Sequence, residues 1–142
     1  MKKIVLFAVA LFIGLSACNS SAPKKEALSN PSLQSEAQQP GPVLKRVSLE
    51  VFQEKLASAT EAQVLDVRTP RECADGMIEN AQNINFYDDD FSAQVEALDK
   101  NKPVFLYCKK GGRSSQALKV LEGLGFQEAY ELEGGYSAWK AK

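Results

Sequence analysis

The 142-residue sequence contains no histidine, three cysteines and one tryptophan. Without histidine, the chain by itself cannot form a Ser-His-Asp or Cys-His catalytic site, nor any metal site that uses histidine. Three cysteines are too few for a secreted scaffold held together by disulfides. Any catalytic chemistry of this chain must therefore use side chains other than histidine.

The sequence has one long apolar run, and that run lies near the N-terminus. It spans residues 4–15 (IVLFAVALFIGL) and follows the cationic start Met1-Lys2-Lys3. A run of this length is too short to cross a bilayer, which needs about 20 residues. A basic start, a short apolar core and small residues at its end predict a signal peptide over residues 1–17.

Leu15-Ser16-Ala17-Cys18 resembles the lipoprotein box of bacteria. The resemblance implies cleavage before Cys18 and lipidation of its sulfur. Several acyl chains would anchor the protein to a membrane, since each buried methylene contributes about 0.8 kcal/mol. The alternative is an ordinary signal peptide followed by an incidental cysteine.

We expect a cell-envelope protein with its domain in the periplasm. Asn19 favours the outer membrane, because it is not the aspartate that retains some lipoproteins at the inner membrane.

Removal of residues 1–17 would take away two lysines and no acidic residue. The remaining 15 basic and 18 acidic residues give a net charge of −3, which argues against nucleic acid as a partner.

Residues 18–42 are rich in Ser, Pro, Gln and Ala and contain no aromatic residue, so we expect a lipidated cysteine followed by a flexible tether. The composition from Val43 onward predicts one globular domain over residues 43–142.

Strand and helix patterns alternate within that domain. Apolar runs predict strands at 63–68, 81–86, 104–107 and 126–132, and helical spacing predicts helices starting after Ser48 and over 91–98, 114–124 and 136–140. This alternation predicts an α/β fold with a mostly parallel sheet. Function in such sheets lies at the carboxyl ends of the strands, where Asp66-Val67-Arg68 and Cys108 fall.

Cys108 directly follows the strand predicted at 104–107 and begins the segment Cys108-Lys109-Lys110-Gly111-Gly112-Arg113. The two glycines let the backbone curl so that successive amides point into one concavity. The start of the next helix adds positive potential. We therefore expect the Cys108 thiol to have a pKa below the free value of about 8.5, without a separate general base. Lys109, Lys110 and Arg113 favour a small anionic substrate.

Each of these residues also has a structural interpretation. Cys108 could be an apolar filler at a strand end, although its position between a strand and a glycine-arginine loop disfavours that. Lys109 and Lys110 could be solvated loop charges. Arg113 could brace the loop through a salt bridge instead of contacting the substrate.

Four segments together resemble a single-domain rhodanese: 65–72, 76–78, 106–114 and 132–139. The resemblance covers residues 45–141 and implies a three-layer α/β domain with a five-stranded, mostly parallel sheet flanked by helices. It also implies sulfurtransferase chemistry. Cys108 would attack the outer sulfur of a donor such as thiosulfate, become a persulfide and pass the sulfur to a thiophilic acceptor, such as a thiol or a protein. It implies no cofactor and no metal.

The resemblance also assigns roles to individual residues. Cys108 matches the nucleophile, and Lys109, Lys110, Gly111, Gly112 and Arg113 match the loop whose amides surround the persulfide. Asp66 and Arg68 match an Asp-x-Arg motif that either braces the site or supports the fold alone. Gly134, Gly135 and Trp139 match a C-terminal signature, to which we assign turns and packing.

The sequence departs from the family pattern at two places. Met77 and Glu79 stand where histidine and proline are usual, which leaves the role of that loop in doubt. Cys73 replaces an aromatic residue usual after Glu72. Cys73 is either a small residue in a partly packed turn, or a second thiol that resolves the Cys108 persulfide or forms a disulfide with Cys108.

Two other functions remain open. A phosphatase or arsenate reductase would normally place five residues between cysteine and arginine to enclose a tetrahedral oxyanion. Only Lys109 to Gly112 intervene here, so the loop suits a single sulfur atom. The domain could instead be a sulfur carrier or protein-binding module without turnover, although the presence of Cys108 argues against an inert role.

Overall fold

A computed structural model of the chain describes residues 41–141, in which strands and helices alternate. The strands are β1 (Val43–Val47), β2 (Gln63–Asp66), β3 (Ala81–Asn83), β4 (Val104–Tyr107) and β5 (Glu128–Leu132). The helices are α1 (Leu49–Ser58), α2 (Pro70–Cys73), α3 (Phe91–Glu96), α4 (Gly112–Gly123) and α5 (Gly135–Lys140). No helix within 41–141 has the length and apolar character needed to cross a membrane. The predicted signal peptide, Cys18 and nearly all of the predicted tether lie outside the described residues.

The five strands form one sheet in the order β1-β5-β4-β2-β3, and every neighbouring pair is parallel. The expected five-stranded parallel α/β fold is thereby confirmed. All four residues of β4 are buried, as an unbroken apolar run in the middle of a parallel sheet requires. The residue that follows β4, Cys108, therefore emerges near the middle of the carboxyl edge of the sheet.

The alternation of side chains along β4 and β5 builds two cores, one on each face of the sheet. Val104, Leu106 and Cys108 belong to the core that also contains residues of α3 and α4. Phe105 and Tyr107 belong to the core on the opposite face, which includes Phe52 of α1 and packs against Trp139 of α5. Cys108 thus lies on the α4 side of the sheet.

The secondary-structure predictions differ from the structure in two elements. β1 was not predicted, because Lys45 and Arg46 interrupt its apolar pattern; this strand lies at the edge of the sheet, where such residues reach solvent. α2 falls where a turn was expected, and it is held by a capping box between Thr69 and Glu72. α4 also begins at Gly112 rather than at residue 114.

The bounds of five other elements differ slightly from the predicted ranges. β2 ends at Asp66, β3 ends at Asn83 and α3 ends at Glu96, whereas β5 begins at Glu128 and α5 begins at Gly135. A strand or helix ends where its backbone groups no longer find hydrogen-bond partners in the folded chain. The apolar pattern of the sequence does not show where those hydrogen bonds stop.

Candidate active site

Cys108 lies buried between the end of β4 and the start of α4, with 2% of its surface exposed. The amide of Gly111 donates a hydrogen bond to Cys108 Sγ at 3.1 Å, and Ser114 Oγ lies 3.5 Å from the same sulfur. Burial by itself raises the pKa of Cys108. Hydrogen bonds from the Ser114 side chain and from the amides of Ser114, Lys110 and Gly111 outweigh burial, so the net pKa is lowered. The surroundings of this sulfur therefore favour the thiolate.

Gly111 makes the turn that aims these amides at the sulfur. Its φ of +102° lies in the left-handed region, and it is the N-cap of α4. A Cβ at this position would lie 3.3 Å from Arg46 Nη2 and 3.3 Å from Glu131 Oε1. The backbone angle therefore favours glycine, and a larger residue would also crowd the two side chains packed behind the loop.

A shallow pocket of about 400 Å³ opens in front of the cysteine. Lys109 and Lys110 are exposed at its rim, and Tyr87 is 66% exposed beside them. The positive rim favours an anionic ligand. Tyr87 precedes an acidic run and belongs to no motif, so no sequence pattern marks it as a site residue.

The structure shows Arg113 in the bracing interaction that was one of its two predicted roles. Its guanidinium donates to both carboxylate oxygens of Glu72, at 2.7 and 2.8 Å. The hydrogen bonds from Arg113 lower the pKa of Glu72 to about 2, against the opposing effect of burial. Arg113 also lies 5.5 Å from the centre of the Tyr87 ring and lines the pocket. The capping box of α2 holds Glu72 in place for this contact.

Asp66 and Arg68 form a buried ion pair next to the site. Arg68 Nε and Nη2 donate to the Asp66 carboxylate at 2.6–3.0 Å. Arg68 also donates to the carbonyl oxygens of Glu72 and Gly76 and lies 4.0 Å from the Tyr136 ring. Burial lowers the pKa of Arg68, but the Asp66 carboxylate raises it by more. The pair therefore braces the 72–76 segment, which carries Glu72.

Cys73 is half-buried at the end of α2, and both Cys73 and Cys108 are free thiols. Burial and the nearby Asp66 carboxylate raise the pKa of Cys73 to about 11, although Arg68 opposes them. The surroundings of Cys73 therefore favour its protonated thiol, whereas the surroundings of Cys108 favour its thiolate.

The C-terminal helix α5 holds the beginning of the cysteine loop. The Tyr136 amide donates to the Cys108 carbonyl at 2.7 Å, and the Ser137 amide donates to the Lys109 carbonyl at 3.0 Å. Gly135, with φ of +58°, lets the two backbones approach: a Cβ there would lie 2.3 Å from the Cys108 carbonyl oxygen. The sequence predicts only a turn at Gly135, because local pattern does not report its contact with the loop.

Three further residues near the sulfur were missed by sequence analysis: Ser114, Glu131 and Arg46. Ser114 Oγ donates to Glu131 Oε1 at 2.6 Å, and Arg46 forms an ion pair with the same carboxylate. Arg46 Nη2 also donates to the Gly111 carbonyl at 3.3 Å and to Ser115 Oγ at 2.8 Å. The available signal was Glu131, a charged residue between the apolar residues Tyr130 and Leu132 of β5.

The site thus combines a buried sulfur nucleophile, converging backbone amides and a positively charged rim. These features suit covalent chemistry in which an anion reaches the sulfur and the sulfur keeps negative charge. Within residues 41–141, no group of three or more Cys, Asp or Glu side chains is placed to hold a metal ion.

A five-stranded parallel domain with a cysteine at the end of its central strand, followed by a short amide-lined loop, has the architecture of a rhodanese-like domain. Residues 48–142 match the Rhodanese-like domain family, and the chain belongs to this family.

Its relatives include proteins that carry sulfurtransferase names. The chain is 34% identical over 99 residues to the putative sulfurtransferase YtwF of Bacillus subtilis, covering 70% of this chain and 93% of that protein. It is 33% identical over 98 residues to the thiosulfate sulfurtransferase GlpE of Ectopseudomonas mendocina, covering 68% and 85%. The crystal structure of a rhodanese-like domain protein from Staphylococcus aureus superposes with a TM-score of 0.59 at 33% identity, covering 67% and 90%.

Proposed function

We propose that the protein is a sulfurtransferase that moves sulfane sulfur from a small anionic donor, such as thiosulfate, to a thiophilic acceptor through a persulfide on Cys108. The observation that carries the proposal is the placement of Cys108 Sγ, buried and facing the Gly111 amide at 3.1 Å. The names of the relatives, sulfurtransferase and thiosulfate sulfurtransferase, support the same chemistry.

In the first half-reaction, the Cys108 thiolate attacks the outer sulfur of thiosulfate. A bond forms between Cys108 Sγ and that sulfur, and the sulfur–sulfur bond of thiosulfate breaks with its electron pair leaving on sulfite. The products are the Cys108 persulfide anion and sulfite. The Gly111 amide faces Cys108 Sγ, which carries the negative charge before the attack, and such a preorganised donor stabilises charge without reorganisation.

In the second half-reaction, a thiophilic acceptor attacks the outer sulfur of the persulfide. The acceptor gains that sulfur, and the electron pair of the broken bond returns to Cys108 as a thiolate. With cyanide the product is thiocyanate, and with a thiolate it is a new persulfide. The pocket in front of Cys108 is shallow and lies beside the exposed Tyr87. Both a small-molecule acceptor and the thiol of an acceptor protein can therefore approach the persulfide.

Intact-mass analysis of the reduced protein after treatment with thiosulfate tests this function. We expect a gain of one sulfur atom, its loss on addition of cyanide, and no gain in Cys108→Ser. Cys73→Ala is the matched control and should gain the sulfur normally. The absence of any adduct on the reduced protein would refute the proposal.

Turnover separates this function from its alternatives. Steady thiocyanate production supports an enzyme, whereas a single transfer without turnover would identify a sulfur carrier. Release of phosphate from a phosphate ester without thiocyanate formation would indicate a phosphatase instead. The four residues between Cys108 and Arg113, and the engagement of Arg113 with Glu72, disfavour that reaction.

We also propose that the mature protein is lipid-anchored in the cell envelope. In this proposal, residues 1–17 are the signal peptide, residues 18–42 comprise the lipidated Cys18 and its tether, and residues 43–142 form the domain, which faces the periplasm. The support is the order of basic start, apolar run and Leu15-Ser16-Ala17-Cys18. In a bacterial host, the protein should incorporate a labelled fatty acid and sediment with outer membranes. Cys18→Ala should lose the label, and equal labelling of the variant would contradict the proposal.

A further inference from the structure

Arg46 reaches the cysteine loop from the edge strand β1, and the sulfur-transfer steps above do not use it. Its guanidinium forms an ion pair with Glu131 and donates to both carboxylate oxygens. Arg46 Nη2 also donates to the Gly111 carbonyl at 3.3 Å and to Ser115 Oγ at 2.8 Å. One side chain of β1 therefore contacts β5, the cysteine loop and the start of α4.

Glu131 lies behind the sulfur and has a charge of the same sign as the thiolate. It is fully buried in β5, and its Oε1 accepts a hydrogen bond from Ser114 Oγ at 2.6 Å. Ser114 Oγ is in turn 3.5 Å from Cys108 Sγ, so a single hydroxyl group separates the carboxylate from the sulfur. Two negative charges that are this close and buried repel each other, and such repulsion disfavours the thiolate.

The sheet register brings the three charged or reactive groups to one face. Glu131 pairs with Arg46 of β1 on one side and with Leu106 of β4 on the other. Cross-strand partners share a face of the sheet, and so do residues two apart in a strand, so Cys108 follows Leu106 on the α4 face. Lys45 precedes Arg46 and is exposed on the opposite face.

We propose that Arg46 is a positioning residue of the sulfur-transfer site, whose charge cancels that of Glu131 behind the Cys108 thiolate. The proposal deepens the sulfurtransferase function and rests on it. Arg46 acts through Glu131 and does not line the pocket in front of the sulfur, so it has no contact with the substrate.

The other charges near the sulfur do not replace Arg46. The cations in front of the loop are exposed or already paired: Lys109 and Lys110 lie at the pocket rim, and Arg113 of α4 is paired with Glu72 of α2. From β2 and α3, apolar side chains pack into the core that contains Cys108. Behind the loop, Glu133 is exposed just after β5 and acts on Arg46, whose charge also interacts with that of Cys108. The balance between Arg46 and Glu131 therefore sets the charge behind the sulfur.

The pH dependence of Cys108 alkylation by iodoacetamide tests the proposal, measured on the full chain with Cys73→Ala and without thiosulfate. Arg46→Gln leaves Glu131 uncompensated, so the midpoint of alkylation should rise by about one pH unit. The rate below the midpoint should then fall about tenfold. Glu131→Gln leaves Arg46 as an uncompensated cation, and the midpoint should fall. In the double variant both charges are absent, and the midpoint should return towards that of the parent protein.

Two further variants keep the test specific. Lys45→Gln removes the same charge from the other face of β1 and should leave the midpoint unchanged. Arg46→Lys keeps a cation beside Glu131 and should restore most of the midpoint that Arg46→Gln changes.

The outcomes separate the effect of charge from a loss of structure. If Arg46→Gln does not fold, a lowered midpoint in Glu131→Gln still supports the proposal, and an unchanged one overturns it. A midpoint that stays raised in the double variant would also overturn it, because the shift would then not come from Glu131. Formation of the one-sulfur adduct is measured separately, so unchanged midpoints would leave the sulfurtransferase function standing.

Discussion

The contact between Gly135 and the cysteine loop leads to a prediction that can be worked out from the structure. In Gly135→Ala, the new methyl group would lie 2.3 Å from the Cys108 carbonyl oxygen and 2.9 Å from both the Lys109 carbonyl carbon and the Lys110 nitrogen. All three are backbone atoms, so no flexible side chain can move aside. The loop and α5 must separate by about 1 Å to restore ordinary contact.

The expected loss of stability has two sources. An alanine held at φ of +58° costs about 1–2 kcal/mol. Separation also weakens the hydrogen bonds from the Tyr136 and Ser137 amides, which contribute about 0.5–1.5 kcal/mol each. We therefore expect Gly135→Ala to lower the free energy of unfolding by about 2–5 kcal/mol in urea titrations. The rate of sulfur uptake from thiosulfate should fall by about 100-fold, because a displacement of about 1 Å can have that effect on a reacting group.

Gly123→Ala is the matched control. Gly123 is the last residue of α4, and a Cβ there would meet open space. Alanine at this position should leave sulfur uptake unchanged and leave stability equal or higher by up to about 1 kcal/mol. If Gly135→Ala were as stable and as active as Gly123→Ala, the reasoning about the loop contact would be wrong.

Three further predictions concern the groups that brace the site. Glu72 has a pKa lowered to about 2, so it contributes stability above pH 4.5 that is lost as the pH falls towards 2. Glu72→Gln should therefore cost about 1–3 kcal/mol at pH 7, with a smaller difference from the parent protein at pH 3 in urea titrations; an equal loss at both pH values would contradict this. Asp66→Asn leaves Arg68 buried without its counter-charge and should destabilise the domain by about 3–5 kcal/mol. The exposed Asp89→Asn should change the melting temperature little, and a similar small change in Asp66→Asn would show that the pair is dispensable. Because the pKa of Cys73 is raised to about 11, iodoacetamide at pH 7 should alkylate Cys108 first, and the rate at Cys108 should be unchanged in Cys73→Ala. Peptide mapping that finds Cys73 modified first would reverse the assignment of the two thiols.

Elements whose pattern is set by neighbours in sequence were predicted well. β4 has the predicted bounds, and α1 begins after the Ser48 cap, because an unbroken apolar run and a capping serine are local signals. β1 and α2 were missed for different reasons. β1 becomes a strand only by pairing with β5, and α2 is a single turn whose capping box was overlooked.

The sequence by itself determined the fold class and the position of Cys108 at the end of a central strand, because apolar periodicity and glycine spacing are read along the chain. The tertiary structure decided what each side chain contacts. Arg113 pairs with Glu72 from a distant helix, Gly135 meets the Cys108 backbone, and Glu131 lies behind Ser114. These contacts join residues far apart in sequence, and their geometry follows from the order and register of the parallel strands, which local patterns do not report.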